Sequence, residues 1–275
     1  MTVVVGVAAK FMIVDWPEKA KFLNESERRL LMLRLSRDAA GASMDRLDKA
    51  ATKRIAKDWK IYLGTLIYLG VVNTGYSTSF FLPTILNQFG WAATTAQVRT
   101  IPIFIVATAV ALTVAILTDR LKHRFTFTII GVVVAVTGYA ILLNQQHVSK
   151  GVRYFACFLI TVGAYTTQPV AIAWLSNTMS GHYKRSVSVA IQIGFGNIGG
   201  IIASNVFLTS EQPKFTTGYS VGMALIIMCG LGCTVFYFAL KRENAKRDRG
   251  ERDYRLQEAD ADNLGDDHPN FRFAT

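Results

Sequence analysis

The sequence predicts an all-α membrane protein with six transmembrane helices, and three observations predict it. Hydrophobic residues make up 51% of the 275 positions and charged residues only 18%, where soluble chains carry about a quarter charged. Apolar runs long enough to cross a bilayer recur six times along the chain. Lysine and arginine are confined almost entirely to alternate connections between those runs.

A hydrocarbon core about 30 Å thick takes around 20 apolar residues in a helix. Segments 61–82, 101–118, 125–143, 152–176, 186–208 and 218–240 meet that length. The fifth is the most polar, interrupted by Gln192, Asn197, Ser204 and Asn205, but it carries no charge and its glycines suit close helix packing. Residues 1–14 are apolar yet too short to cross, and lack the basic start and small-residue cleavage site of a signal peptide. They are expected to be the end of a preceding transmembrane helix.

Segment 15–60, the connections 119–124 and 181–185, and the tail from 241 together hold 25 lysines and arginines, while the opposite connections hold four. The basic side is therefore expected to be cytoplasmic, with both termini inside. Segment 15–60 reads as a cytoplasmic linker with an amphipathic helix, Asn24 and Glu27 standing in capping-box spacing. Its basic residues are expected to face lipid headgroups. The helical domain then occupies 61–240. The tail 241–275 turns from basic to acidic with little apolar content and is expected to be a disordered cytoplasmic segment, its basic part held near anionic lipid.

The formal charge of +11 suggests nucleic acid, but the cations lie between apolar spans rather than in a stripe interleaved with aromatics, so no nucleic-acid partner is expected. Cys157, Cys229 and Cys233 all lie in spans without a neighbouring His or carboxylate; they read as small apolar side chains, and no metal or cofactor is expected. His123, His147, His182 and His268 all fall in loops or the tail, and no G-x-S-G-type nucleophile accompanies them, so an intramembrane protease is excluded. A six-helix carrier with a threefold repeat would need a Pro-x-acid-x-x-base motif at three helix ends, and the chain offers only Pro17-Glu18-Lys19, with lysine where the acid belongs. No enzyme activity is expected.

Polar residues within spans are costly unless paired or facing a cavity. On the first span Asn73, Tyr76, Ser77 and Phe80 share helical spacing; on the fourth, Tyr165, Gln168 and Ile172 do, with Pro169 able to loosen the helix and Trp174 and Asn177 near its basic end. Asn73, Tyr76, Gln168 and Asn177 are the candidate substrate-binding residues; helix–helix hydrogen bonding is the competing reading. Gly196, Gly200 and Ser204 form a ridge of small residues for close packing, and Gln192 and Asn197 point to different faces.

The turn after the second span, with Asp119, Arg120 and Arg124, resembles the D-R-x-x-x-R loop between helices eight and nine of the major facilitator superfamily, although Thr118 replaces the leading glycine. The run Trp16-Pro17-Glu18-Lys19-Ala20-Lys21-Phe22-Leu23 is similar to the linker between helices six and seven of the fungal anion:cation symporters, the allantoate, nicotinate and pantothenate permeases. Trp174-Leu175-Ser176-Asn177 with Gly181-His182-Tyr183-Lys184-Arg185 resembles their loop between helices ten and eleven, Gly194 to Ser204 their eleventh helix, and Phe80 to Ile85 the outer end of their seventh.

The resemblance implies the C-terminal half of a twelve-helix transporter in the plasma membrane, moving a small organic anion by proton-coupled alternating access. Asp119, Arg120 and Arg124 would form its gating loop. No Asp, Glu, Lys, Arg or His stands mid-span, so the anion-binding cation and the proton carrier are expected in a missing N-terminal six-helix half. The alternative is a free-standing six-helix protein with a regulatory or scaffold role.

Overall fold

The computed structural model describes residues 5, 6, 9, 20, 22–38, 44, 46, 48–258 and 260–275. The expected end of a preceding helix at 1–14, and the motif at 16–21, lie almost wholly outside the described residues. Among the described residues the regular structure is helical throughout, with short 3-10 turns and no strand.

Among the elements of the described residues, two short helices precede the bundle, α1 (Glu25–Asp38) and α2 (Lys49–Lys57). Half of the expected capping box forms: the Asn24 amide donates to the Glu27 carboxylate at 2.9 Å, while the Asn24 side chain turns to the Glu25 amide. Leu30, Leu31, Met32 and Leu33 are consecutive and so spread around α1, leaving Leu30 and Leu33 exposed. The amphipathic helix is instead α2. Asp48 caps it by accepting from the Ala51 amide at 2.7 Å, Ala51 and Ile55 are buried, and Lys53 and Lys57 point outward.

The bundle comprises α3 (Trp59–Gln88), α4 (Ala93–Leu121), α5 (Arg124–Leu143), α6 (Lys150–Thr178), the pair α7 (His182–Gly196) and α8 (Ile198–Val206), and α9 (Thr216–Asp248). Five of these segments are long and apolar enough to cross a membrane, α7 and α8 counting as one. The sixth, α3, is 30 residues long, or roughly 45 Å at 1.5 Å per residue. It falls short on hydropathy alone because Asn73, Thr74, Ser77 and Thr78 turn inward, where all four are buried. Helices of this length and apolarity make the chain a multi-pass membrane protein.

Helix α3 is the hub, packing against α4, α6, α7, α8 and α9, while α5 packs chiefly on α6 and α9. Glycines permit the closest of these approaches. A side chain at Gly163 would strike the backbone of α5 near Ala135, and one at Gly70 would meet the Leu225 carbonyl of α9. In α6, 56% of the most apolar stretch is buried within the chain, against 11% in α4. The apolar surface of α4 therefore faces away from this bundle.

Two sequence expectations need correction. The span 186–208 is not one helix but breaks at Asn197. Gly196 and Gly200 sit against the rings of Tyr68 and Tyr76, so the ridge of small residues packs on α3, whereas Ser204 is exposed and bonded back to Ile201.

The tail is not disordered. Beyond α9 it folds through three short 3-10 turns and buries Leu264, Asp266, Phe271 and Phe273. Its carboxylates meet the basic linker, Arg54 pairing with Glu258 and Asp260 at 2.9 and 2.7 Å, and Arg46 with Asp262 at 2.8 Å. Asn244 on α9 exchanges two 2.9 Å bonds with the Phe273 backbone, and the Trp174 indole donates to the Ala274 carbonyl at 2.9 Å.

Candidate functional site

At mid-depth α3, α6 and the broken α7–α8 pair meet along a polar seam. Two of its amides fasten the helices. Asn73 is fully buried and its Nδ2 donates to the Gly199 carbonyl at 3.1 Å. Gln192, also fully buried, donates to the carbonyls of Gly64 on α3 and Ala171 on α6, each at 3.3 Å. Both amides take carbonyls from neighbouring helices, which is how a polar group is satisfied where no water competes. Asn73 is thus engaged at an interhelical joint.

Toward the open side the seam changes character. Tyr76 is half-buried, stacks on the exposed Phe80 with ring centroids 5.4 Å apart, and donates to Asn197 Oδ1 at 3.4 Å. The expected face of Asn73, Tyr76, Ser77 and Phe80 therefore divides, with Asn73 and Ser77 buried and Tyr76 and Phe80 at the edge. Gln168 is half-buried, its Nε2 donating to the Tyr68 hydroxyl at 3.4 Å. One turn away the Tyr165 hydroxyl lies 3.1 Å from Ser79 Oγ. The seam offers amides and phenols as donors and acceptors, and no charged side chain stands in the middle turns of its helices.

Asn177 does not join this group. It is exposed near the end of α6, nine residues beyond Gln168, or roughly 13 Å along the axis. The turn with Asp119, Arg120 and Arg124 lies at the same end. Lys122 closes α4 in the left-handed region (φ 57°), its amide donating to Thr118 O at 2.9 Å. Arg124 then opens α5 and donates to the Ala173 carbonyl of α6 at 3.2 Å. Asp119 and Arg120 are exposed, and among the described residues no ion pair joins Asp119 to either arginine. The loop is tied to α6 through Arg124.

A second cluster at that end escaped sequence reasoning. Asp58 caps α3 through the Lys60 amide at 3.0 Å, and its other oxygen takes the Lys60 and Lys184 ammonium groups at 3.0 and 2.7 Å. Asp266 of the tail faces the same two lysines at 2.8 and 2.9 Å. Two acids and two bases thus form a neutral, buried quartet that unites the linker, α3, α7 and the tail. Burial by itself would raise the Asp266 carboxyl, but the two ammonium groups overcome it and hold the group down at about 2.

The description of the Major Facilitator Superfamily matches residues 1–204. The chain belongs to that superfamily. An uncharacterized transporter of Schizosaccharomyces pombe is 32% identical over 246 residues, covering 90% of this chain and 49% of the relative. A second from the same yeast is 30% identical over 263 residues, covering 96% and 52%. The high-affinity nicotinic acid transporter of Saccharomyces cerevisiae is 26% identical over 230 residues, covering 84% and 43%. The chain spans about half the length of the curated relatives it matches.

Membership of the Major Facilitator Superfamily places the chain in a family of transporters rather than of enzymes, with an all-helical half-fold. Sequence spacing had brought out Asn73, Tyr76 and Gln168 in this superfamily member, but not Tyr68 or Ser79. Tyr68 sits four residues from Val72 and two from Gly70 in an apolar run, so only its tertiary contacts, the Gln168 amide and the approach of Gly196, mark it as part of the seam.

Proposed function

We propose that the chain transports a small organic anion, of the vitamin or nitrogen-source carboxylate class, by alternating access as one half of a proton-coupled symporter. The observation that carries this reading is the uncharged seam of Tyr68, Tyr76, Gln168 and Asn197, which leaves hydrogen-bonding groups at bilayer depth beside an open face. Such groups orient a carboxylate without supplying its counter-charge. The cation and the proton carrier are therefore assigned to a partner six-helix half, whose docking would cover the apolar surface of α4. The carboxylate class takes support from the yeast relative named for nicotinic acid.

On this reading Tyr76 and Gln168 contact substrate, and Asn177 stands at the cytoplasmic mouth. Arg124 couples the 119–124 turn to α6, the helix that carries Gln168, so movement of the turn is transmitted to the site. The basic end faces the cytoplasm and the membrane is the plasma membrane.

In a permease-deficient yeast, the chain alone is expected to give no acid-stimulated uptake of nicotinate, allantoate or pantothenate. Co-expression with a complementary N-terminal half is expected to give it. Robust uptake by the chain alone overturns the half-transporter reading; uptake by the paired halves that ignores external pH overturns proton coupling.

A further inference from the structure

Beside the docked tail, α2, the start of α3 and the end of α9 enclose a cavity of about 530 Å³, within the 300–1,000 Å³ range of ligand sites. Lys53, Lys57 and Arg247 line it, together with tail residues Arg252, Arg255 and Phe273. The tail arginines are already matched, Arg252 by Glu243 at 2.7 Å and Arg255 by Asp267 at 2.9 Å.

Two lining cations have no such partner, and a third, Arg247, only shares Glu243 with Arg252. Lys53 and Lys57 are exposed, and among the described residues neither pairs with a carboxylate. Arg247 is 4% exposed; its Nη1 donates to the Phe271 and His268 carbonyls, while its Nε has no hydrogen-bond partner. Its nearest carboxylate is Glu243, 3.6 Å away and already bound to Arg252. Trp59, 43% exposed, lines both this cavity and an adjoining groove that adds Arg242 and Lys246 and runs onto the exposed Phe238 and Val235 of α9. An apolar track thus leads from a cationic cavity along the outer face of a spanning helix.

We infer that this cavity binds the headgroup of a polyanionic phospholipid, with the acyl chains lying along Val235 and Phe238. Four cations that pair with no carboxylate among the described residues, Lys53, Lys57, Arg242 and Lys246, exceed what a singly charged headgroup neutralises, whereas each phosphate monoester brings roughly −1.5 to −2. Basic pockets between helices at the cytoplasmic side are suited to such headgroups. The inference rests on the basic end facing the cytoplasmic leaflet, but not on which substrate is carried.

The test measures binding to the 275-residue chain purified in mild detergent, so it does not depend on membrane orientation. Orientation is read separately, by protease access to the tail in sealed vesicles. The probes are dioctanoyl phosphatidylinositol 4,5-bisphosphate, the matching phosphatidylcholine, free inositol 1,4,5-trisphosphate and inorganic phosphate. The bisphosphate lipid is expected to bind at least tenfold tighter than any other probe. K53A with K57A is expected to weaken it at least tenfold with an unchanged elution profile, and R242A with K246A to weaken it as well. Equal binding of phosphatidylcholine, or a K53A/K57A protein that binds like the parent, overturns the site. Free trisphosphate binding as tightly as the lipid overturns the lipid as its source.

Discussion

Lys184 Nζ lies 2.9 Å from Asp266 Oδ1, and both side chains are fully buried although 82 positions separate them in sequence. The pair joins the start of α7 to the tail within the quartet completed by Asp58 and Lys60. Removing one member of a buried ion pair leaves an uncompensated charge and costs about 3–5 kcal/mol. Asp266→Ala is therefore expected to undock the tail and speed tryptic cleavage at Arg255, which is largely covered when docked. Lys184→Met combined with Asp266→Leu leaves Lys60 and Asp58 as a neutral pair at 3.0 Å, and should cleave more slowly than Asp266→Ala. A double variant no slower than the single one would show that charge balance does not hold the tail.

The same contact sets an acid limit. Against its burial, the Lys60 and Lys184 ammonium groups hold the docked Asp266 carboxyl well below the roughly 3.9 of a free aspartate. A depressed carboxylate contributes stability that is complete above its unfolded value and disappears as pH falls through its folded one. Docking supported by Asp266 should therefore persist at pH 5 and fail between about 4 and 2. A shallower loss begins earlier: burial, and then the Arg247 charge, hold the His268 imidazole below its ordinary value, so protonation below about pH 6.5 opposes docking. Hydroxyl-radical footprinting of Phe271 and Phe273 across this range, followed by mass spectrometry of the tail, reads both steps; a tail released in one step at pH 6 would remove Asp266 from this role.

The six spans were legible because a bilayer demands a long apolar run, and that demand is local. The tail was not, since its order comes from partners far away in sequence: Arg54 and Asp260 are 206 positions apart, and Arg46 and Asn263 are 217 apart. Local composition registers the acids at 258–267 but not the basic linker that neutralises them. Two phenylalanines, Phe271 and Phe273, were the one local hint of a docked segment. The break at Asn197 was hidden for another reason, as Gly and Asn fit a continuous span as readily as an interrupted one. At the seam, spacing placed Asn73 and Tyr76 together, but their separation into joint and edge depends on where α8 lands.

That landing is testable at Gly199. A Cβ there would come within 2.5 Å of the Leu69 carbonyl and 3.0 Å of the Asn73 amide nitrogen, backbone atoms that cannot turn aside. Gly199→Ala should push α8 from α3, break the Asn73 bond and destabilise the bundle by about 1–3 kcal/mol. Gly194→Ala provides the contrast, because nothing lies within 4 Å of its Cβ position; relief of glycine's helix penalty should leave it neutral or up to about 1 kcal/mol more stable. Thermal unfolding in detergent compares the two, and equal melting shifts would refute the close approach.

Asn73 and Gln168 should then fail in different ways. Asn73 is wholly enclosed and bonded to Gly199, so Asn73→Ala is expected to lower thermal stability by about 0.6 kcal/mol, the average for interhelical hydrogen bonds in membranes, and by no more than about 1.7. Uptake by the protein that remains folded should keep its KM. Gln168 is half-buried and its 3.4 Å bond to Tyr68 is long, so Gln168→Leu should melt nearly as the parent does. If its amide orients the carboxylate, KM should rise about tenfold, equivalent to about 1.4 kcal/mol of lost binding. Tyr76→Phe should act in the same direction by releasing Asn197. The measurement is concentration-dependent uptake in the paired assembly, normalised to protein at the cell surface. A Gln168→Leu protein with unchanged KM but reduced surface level would make Gln168, like Asn73, a joint between helices rather than a contact for substrate.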